Sequence, residues 1–269
     1  MKKNDIVLHI ENLLLIILFY TFRSNFKTFQ EEARKPLNFL AIDSTGHFSS
    51  VGIFKVVNKK PVLIDSKFSF LSEENNKPIN ELIRQLLQVN QIENLDFIAI
   101  SLGPGSFTKI RSSLAFAKGL SCGLKVPIIG VNGFQKLFEV SRSLNKKNTS
   151  LLIACDTFRK SAFVSLQNIS NKSFDNKIEI SAVDEIQNIK DIKTHPKITV
   201  LGDLSNQVSK NLKNNGFKVS EKAQTYGYKE TGLTALVNIA LKIKKNNDNF
   251  NLNPIYISAP LTNERKNRF

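Results

Sequence analysis

A glycine turn between a buried strand and a long helix constrains this sequence more than any other feature. Asp96–Leu102 is an apolar run that predicts a strand, and about Phe107–Leu124 predicts a helix. The turn that joins them reads Gly103-Pro104-Gly105-Ser106-Phe107-Thr108. Glycines permit positive φ and close approach of another backbone, and Ser106 or Thr108 is suited to cap the helix. A strand, a tight turn and a helix in this order indicate an α/β fold.

The residues of this turn leave its chemistry open. A helix N-terminus attracts anions, because free amides and the helix dipole meet there. A tight strand-to-helix connection that binds nothing uses the same residues. The turn is not a Walker loop, since no Gly-Lys-Ser/Thr follows, and it is not a dinucleotide loop, since the third Gly is missing.

The segments around the turn predict one α/β unit. Asn38–Ser44 predicts a strand that ends in the turn Asp43-Ser44-Thr45-Gly46. Ser50–Val57 and Pro61–Phe70 predict antiparallel neighbours, and Pro127–Val131 predicts a further short strand. Apolar residues at helical spacing predict a helix before the turn, at Ile79, Leu82, Ile83, Leu86 and Leu87.

A second unit of similar order begins near Ser150. Leu151–Cys155 and Ala162–Gln167 predict paired strands, and Ile198–Leu201 predicts a strand that leads through Gly202-Asp203 into a helix. A last long helix is predicted to start at about Thr231. Two successive units of this kind indicate a duplicated fold, while residues 168–196 give no clear prediction.

The first 36 residues differ from the rest. Leu13–Phe22 is an apolar run of about half the length that a membrane-spanning helix requires. Three interpretations stay open: a short anchoring or docking helix, an incidental extension, or upstream sequence wrongly joined to the gene. Met1 is the only Met, and Leu37 stands directly before Asn38, so we hypothesise that Leu37 is the true start. The intact mass of the native protein tests this hypothesis.

Composition excludes several classes of protein. The 269 residues carry a net charge of +15, and hydrophobic residues make up 41%, so a core is expected and global disorder is excluded. Cys122 and Cys155 are too few for a disulfide scaffold or a multi-cysteine zinc cluster, which favours a cytoplasmic protein. Excess Lys is able to attract RNA, but an AT-rich coding sequence gives the same composition and is the simpler interpretation.

Four segments resemble the TsaB (YeaZ) family of tRNA threonylcarbamoyladenosine biosynthesis proteins, relatives of the carbamoyltransferase TsaD. They are NFLAIDST, GPGSFTKIR, LAFAKGL and PIIGV, at Asn38–Thr45, Gly103–Arg111, Leu114–Leu120 and Pro127–Val131. Pro254-Ile255-Tyr256-Ile257 also resembles a family segment. The sequence departs from the family at Lys109 and at Ser112-Ser113, where the family has Gly and Ile-Gly. It departs again where Asp156-Thr157-Phe158-Arg159 displaces an Arg by one position.

The resemblance implies an actin-like ATPase (ASKHA) fold of two tandem RNase H-like domains after an N-terminal extension. The expected domains are 1–36, 37–147 and 148–269, with the last helix packing back on the first domain. It also implies a non-catalytic activator of TsaD in forming N6-threonylcarbamoyladenosine on tRNA beside the anticodon. TsaE and tRNA would join the larger complex. A homodimer of the free chain is a further prediction, and no membrane association, metal or cofactor is expected, ATP being bound by the complex.

The resemblance also implies which surface meets TsaD. In the family the helix after the glycine turn and the helix before it form this contact. Carried over to this chain, the predicted partner-binding residues are Ile79, Leu82, Leu86, Phe107, Ser113, Phe116, Ala117 and Leu120. Covering their own sheet is the alternative role of these helices. Lys109, Arg111 and Lys118 are candidates for contact with tRNA.

Two enzymatic alternatives stay open on the residues. A metal-dependent glycoprotease or carbamoyltransferase would need the His-x-x-x-His pair of TsaD, but Gly133 and Leu137 stand at those positions, so no catalytic residue is assigned. A degenerate actin-fold kinase would use Asp43 as the remnant of a nucleotide site. A strand-end Asp that caps its own turn explains Asp43 equally well.

Overall fold

The computed structural model describes residues 37–58, 60–70, 77–92, 94–143, 150–171, 173–220, 229–246 and 252–257. The chain divides into two units, Met1–Leu37 and Asn38–Phe269, and all elements described below belong to the second. The predictions for the first 36 residues lie outside the described residues. The boundary between 147 and 148 stays a prediction.

The first sheet has five strands in the order β3-β2-β1-β4-β5. Their bounds are β1 Asn38–Asp43, β2 Phe48–Val57, β3 Lys60–Phe70, β4 Phe97–Ser101 and β5 Ile128–Val131. β1 pairs antiparallel with β2 and parallel with β4. Side chains alternate between the two faces, so Leu40 and Ile42 pack on one face, and Phe39 and Ala41 pack on the other.

Helices cover both faces of the first sheet. The helices of the described residues, on either sheet, are α1 Ile79–Val89, α2 Phe107–Leu124, α3 Gly133–Ser143, α4 Ser205–Asn214 and α5 Glu230–Asn246. α1 and α2 pack on the face of Leu40, and α5 packs on the face of Phe39 through Leu233, Leu236 and Val237. Because both faces are covered, the central strands are apolar throughout, as the sequence predicts.

The second sheet repeats the pairing of the first. Its order is β8-β7-β6-β9, with β6 Ser150–Asp156, β7 Ser161–Asn168, β8 Glu179–Ala182 and β9 Ile198–Leu201. β6 pairs antiparallel with β7 and parallel with β9, as β1 does with β2 and β4. α3 packs on one face, and α4 packs on the other together with the 3₁₀ turns Val183–Asn188 and Ile192–Thr194. The α/β class is therefore confirmed.

None of the helices among these residues has the length and hydropathy that crossing a membrane requires.

Candidate functional site

The glycine turn brings the ends of three parallel strands together. Gly105 touches the loop after β1, where a Cβ atom on Gly105 would lie 2.0 Å from the Thr45 carbonyl oxygen. The Ser106 amide donates to that same oxygen at 2.8 Å. The Gly133 amide at the start of α3 donates to the Gly103 carbonyl at 2.7 Å. The turn therefore fixes the loop after β1 and the start of α3 relative to β4.

The capping prediction for Ser106 is wrong. Ser106 takes the N-cap position of α2, but among the described residues its side chain makes no capping hydrogen bond. Its φ and ψ angles of −58° and 111° serve the backbone bond to Thr45 instead. Close packing of two backbones thus accounts for the glycines of the turn. Whether the turn also binds an anion stays a prediction.

A buried ion pair lies at the end of β1. The carboxylate of Asp43 pairs with the ammonium of Lys136 from α3, and their side chains are 3% and 1% exposed. The second carboxylate oxygen accepts from the Thr45 hydroxyl at 2.8 Å and from the Thr45 amide at 3.2 Å. Burial works to raise the pKa of Asp43, but the charge and hydrogen bond of Lys136, together with the two bonds from Thr45, outweigh it, and the pKa lies below its usual value of 3.8.

The second sheet places two carboxylates at the ends of β6 and β9. The Asp156 amide donates to the Asp203 carboxylate at 2.8 Å, and Asp156 pairs with His47 Nε2 at 3.0 Å. Burial raises the pKa of Asp203 above 3.8, against the charge of His47 and the bond from the Asp156 amide. His47 belongs to the loop after β1, so this contact links the two sheets at their strand ends.

Gly202 repeats in the second sheet what Gly105 does in the first. Its φ is +122°, and a Cβ atom there would lie 1.9 Å from the Ala154 carbonyl oxygen in β6. The close approach brings Asp203 to the end of the neighbouring strand. The duplication inferred from the sequence therefore extends to the strand-end turns.

Lys109 lies between the two groups of carboxylates. Its ammonium donates to the Gly46 carbonyl at 3.2 Å. Burial lowers the pKa of Lys109, while the negative charges of Asp43 and Asp203 work to raise it. Where the family has a glycine, this chain thus supplies an additional cation to the junction between the sheets.

The C-terminal segment packs against α2 through one aromatic and basic group. The Arg111 guanidinium lies 3.7 Å from the ring centre of Phe107 and donates from Nε to the Tyr256 hydroxyl at 2.9 Å. The rings of Phe107 and Tyr256 are 4.8 Å apart. The Ile255 amide donates to the Leu102 carbonyl at 2.8 Å, which ties this segment to the glycine turn.

The predicted partner-binding residues divide into two groups. Leu82, Leu86 and Ala117 are buried in the core between α1, α2 and the first sheet. Ser113 is buried as well and accepts a hydrogen bond from the Ser44 hydroxyl at 2.8 Å. The half-buried residues of the set are Ile79, Phe107, Phe116 and Leu120.

A row of small residues on α2 faces open space. Ala115, Gly119 and Gly123 are exposed and follow one another at intervals of four residues, so they share one side of the helix. A Cβ atom on Gly119 or Gly123 would meet nothing within 4 Å. Ala115, Gly119 and Gly123 are not among the partner-binding residues predicted from the sequence.

The positions aligned with the His pair of TsaD hold no ligand for a metal. Gly133 is enclosed by Gly103 and Ser101, and Leu137 is buried against the second sheet. Across the described ranges, no three His, Cys, Asp or Glu side chains are grouped as a metal site. Lys136, between these two positions, is the residue of this region that sequence reasoning missed.

Comparisons with known proteins identify the family and the fold. The family model described as "TsaD: tRNA N6-adenosine threonylcarbamoyltransferase" matches residues 70–254, more than half of the chain. TsaB of Buchnera aphidicola from Schizaphis graminum is 34% identical over 115 residues, 42% of this chain and 52% of that protein. TsaB of Escherichia coli is 27% identical over 124 residues, 45% and 50% of the two chains. The chain thus spans about half the length of these curated relatives.

Among solved structures, YeaZ from Pseudomonas aeruginosa has the same fold. The TM-score is 0.58 at 14% identity, and the match covers 82% of this chain and 100% of that one. Together with the repeated sheet pairing, this match confirms the expected actin-like α/β fold. The chain therefore belongs to the TsaD family, and it resembles those relatives that are named TsaB.

Proposed function

We propose that the chain is a non-catalytic subunit that binds and activates TsaD in the formation of N6-threonylcarbamoyladenosine on tRNA. The relatives named TsaB support the biosynthetic role. The observation that carries the proposal is the row of small residues on α2, which leaves a helix face open beside half-buried apolar side chains.

This face suits the close approach of a second helix. No large side chain projects from the helix at Ala115, Gly119 and Gly123. The backbone of a partner helix is therefore able to approach closely enough to make many van der Waals contacts. Phe116 and Leu120 stand beside them as partly exposed apolar residues. The fully buried members of the predicted set, such as Leu86, act indirectly by supporting the two helices from the core.

The non-catalytic role is supported by what occupies the metal positions of TsaD. Gly133 packs against the backbone of Gly103, and Leu137 belongs to the core of the second sheet. Neither offers an atom that ligates a metal. The catalytic groups and the bound ATP of the complex are therefore assigned to its other subunits, TsaD and TsaE.

The proposed contact with tRNA uses exposed cations. Arg111 and Lys118 are exposed on α2, whereas Lys109 is half-buried and bonded to the Gly46 carbonyl. We assign phosphate contacts to the two exposed residues, because a phosphate contact requires an accessible charge. A content of only two cysteines, Cys122 and Cys155, fits the reducing cytoplasm, where this tRNA modification would occur.

Gly119→Phe tests the interface. The new side chain enters open space and leaves the fold intact, but it holds a partner helix away. Asn206→Phe, on the exposed side of α4, is the matched control. Light scattering after size-exclusion chromatography with the host's TsaD should show a one-to-one complex for wild type and control and none for Gly119→Phe. Separate elution of wild type and TsaD, even with TsaE and ATP, would refute the proposal.

The same experiment without TsaD tests for the homodimer. A dimer that uses the small-residue row should dissociate in Gly119→Phe and persist in Asn206→Phe. A dimer unaffected by either change would place its interface elsewhere on the chain.

A further inference from the structure

The Asp43 carboxylate at the end of β1 has its counter-charge and its hydrogen-bond donors within this chain. Asp43 is 3% exposed, and its partner Lys136 is 1% exposed. One carboxylate oxygen takes the Lys136 ammonium, and the other accepts two bonds from Thr45. A lysine is almost never this deeply buried unless it is paired, so the position of this ammonium is set by Asp43.

The start of α3 places Lys136 at that point. The Asn132 side-chain oxygen accepts from the Phe134 amide at 2.8 Å, which begins the helix directly after β5. The Gly133 amide is tied to the Gly103 carbonyl. One turn further on, Lys136 lies among residues that pack in the core, and its ammonium reaches the end of β1.

Other carboxylates near the junction also have basic side chains of this chain as neighbours. Asp156 pairs with His47, and Asp203 lies 4.0 Å from the same imidazole. The Lys109 ammonium is held at the Gly46 carbonyl and experiences the charges of Asp43 and Asp203. The junction therefore brings three carboxylates, the ammonium groups of Lys109 and Lys136 and the imidazole of His47 into one cluster.

An actin-like fold implies a magnesium nucleotide at such strand ends, and the residues here do not fit one. Mg²⁺ requires carboxylate and water oxygens in octahedral geometry, but Lys136 already lies against Asp43. In the second turn, Phe158 stands where close approach of phosphate requires a glycine, and it adopts a φ of +61°.

We infer that the Lys136 ammonium permanently neutralises the Asp43 carboxylate. It thereby excludes a divalent metal ion, and with it a magnesium nucleotide, from this site. The ammonium takes the place of a metal ion and stabilises the loop after β1 without any ligand. This inference goes beyond the proposed function and holds whether or not the chain binds TsaD.

Manganese binding to the full chain tests the inference, with Mn²⁺ as the probe for a hard divalent cation. Lys136→Ala leaves the Asp43 carboxylate without its partner and opens space for a hydrated ion. Electron paramagnetic resonance of free Mn²⁺ should show a site in this variant at least about tenfold tighter than in wild type. The double variant Asp43→Asn/Lys136→Ala should lose that site. Lys210→Ala, which removes an equal charge from an exposed position on α4, should behave as wild type.

Each outcome decides the question. A wild-type chain that already binds Mn²⁺ through Asp43 would overturn the inference, as would a Lys136→Ala variant with no gain. If Lys136→Ala does not fold alone, refolding in Mn²⁺ replaces the titration. Recovery of the fold by Mn²⁺ supports the inference. Failure to recover, while the double variant folds, overturns it.

Discussion

Gly105 is the position where the structure makes its sharpest prediction about stability. A Cβ atom there would lie 2.0 Å from the Thr45 carbonyl oxygen, and Cβ contacts below 3.0 Å essentially do not occur. Gly105→Ala therefore has to move the glycine turn and the loop after β1 apart by about 1 Å. The atoms that the new Cβ would meet all belong to the backbone of Thr45, so no flexible side chain can move aside.

The cost follows from what this movement disrupts. The bond from the Ser106 amide to Thr45, now 2.8 Å, stretches beyond hydrogen-bonding length. Its loss costs about 0.5–1.5 kcal/mol, and the backbone shift in a packed region costs about 1–3 kcal/mol. The free energy of unfolding should fall by roughly 2–4 kcal/mol, which lowers the Tm of a domain of this size by roughly 4–16 °C.

Gly119→Ala is the matched control, because it makes the same chemical change in the same part of the chain. Its Cβ meets nothing within 4 Å, and Ala is the better helix former, so the variant should gain about 0.5–1 kcal/mol. Urea denaturation followed by circular dichroism measures both variants. Opposite signs are expected. A Gly105→Ala variant as stable as wild type would refute the assignment of this turn to close backbone packing.

Two further predictions concern the site. Asp43→Asn should cost about 3–5 kcal/mol at neutral pH, because it leaves the Lys136 charge buried without its counter-charge. The folded pKa of Asp43 lies below 3.8, so its contribution is complete above pH 3.8 and is lost as pH falls through the folded value. Denaturation over a pH series should show the gap from wild type closing in acid, and a constant gap would contradict this. Tyr256→Phe should lose only the bond from Arg111, about 0.5–1.5 kcal/mol, whereas Tyr256→Ala should also speed hydrogen exchange at the Ile255 amide. Unchanged exchange in Tyr256→Ala would show that the ring does not hold this segment.

The sequence predicts most strands and most helices, because their apolar residues are continuous or periodic. Apolar runs such as those of β1 and β4 lie between covering helices, so they have no polar side to obscure them. The glycine turn predicts the start of α2 correctly at Phe107. The sequence also indicates a duplicated unit, because both halves begin with two apolar strands in succession. In the structure these strands pair antiparallel in each half, β1 with β2 and β6 with β7.

Other elements give weaker signals for physical reasons. α3 carries Phe134, Leu137 and Phe138 at helical spacing, but Lys136 interrupts the apolar pattern although it is buried. β8 is a short edge strand with exposed and half-buried residues, so it lacks an apolar face. The pair of Asp43 and Lys136 joins residues 93 positions apart, which no local pattern reports.

Formation of N6-threonylcarbamoyladenosine on tRNA by a reconstituted system tests the central claim most directly. The reaction contains TsaD, TsaE, ATP, threonylcarbamoyl-adenylate and tRNA, and mass spectrometry of digested tRNA measures the modified nucleoside. The account predicts that TsaD needs this chain, that Gly119→Phe does not replace it, and that the chain without TsaD forms no product. Product from the chain without TsaD, or equal product from TsaD with and without the chain, would contradict it.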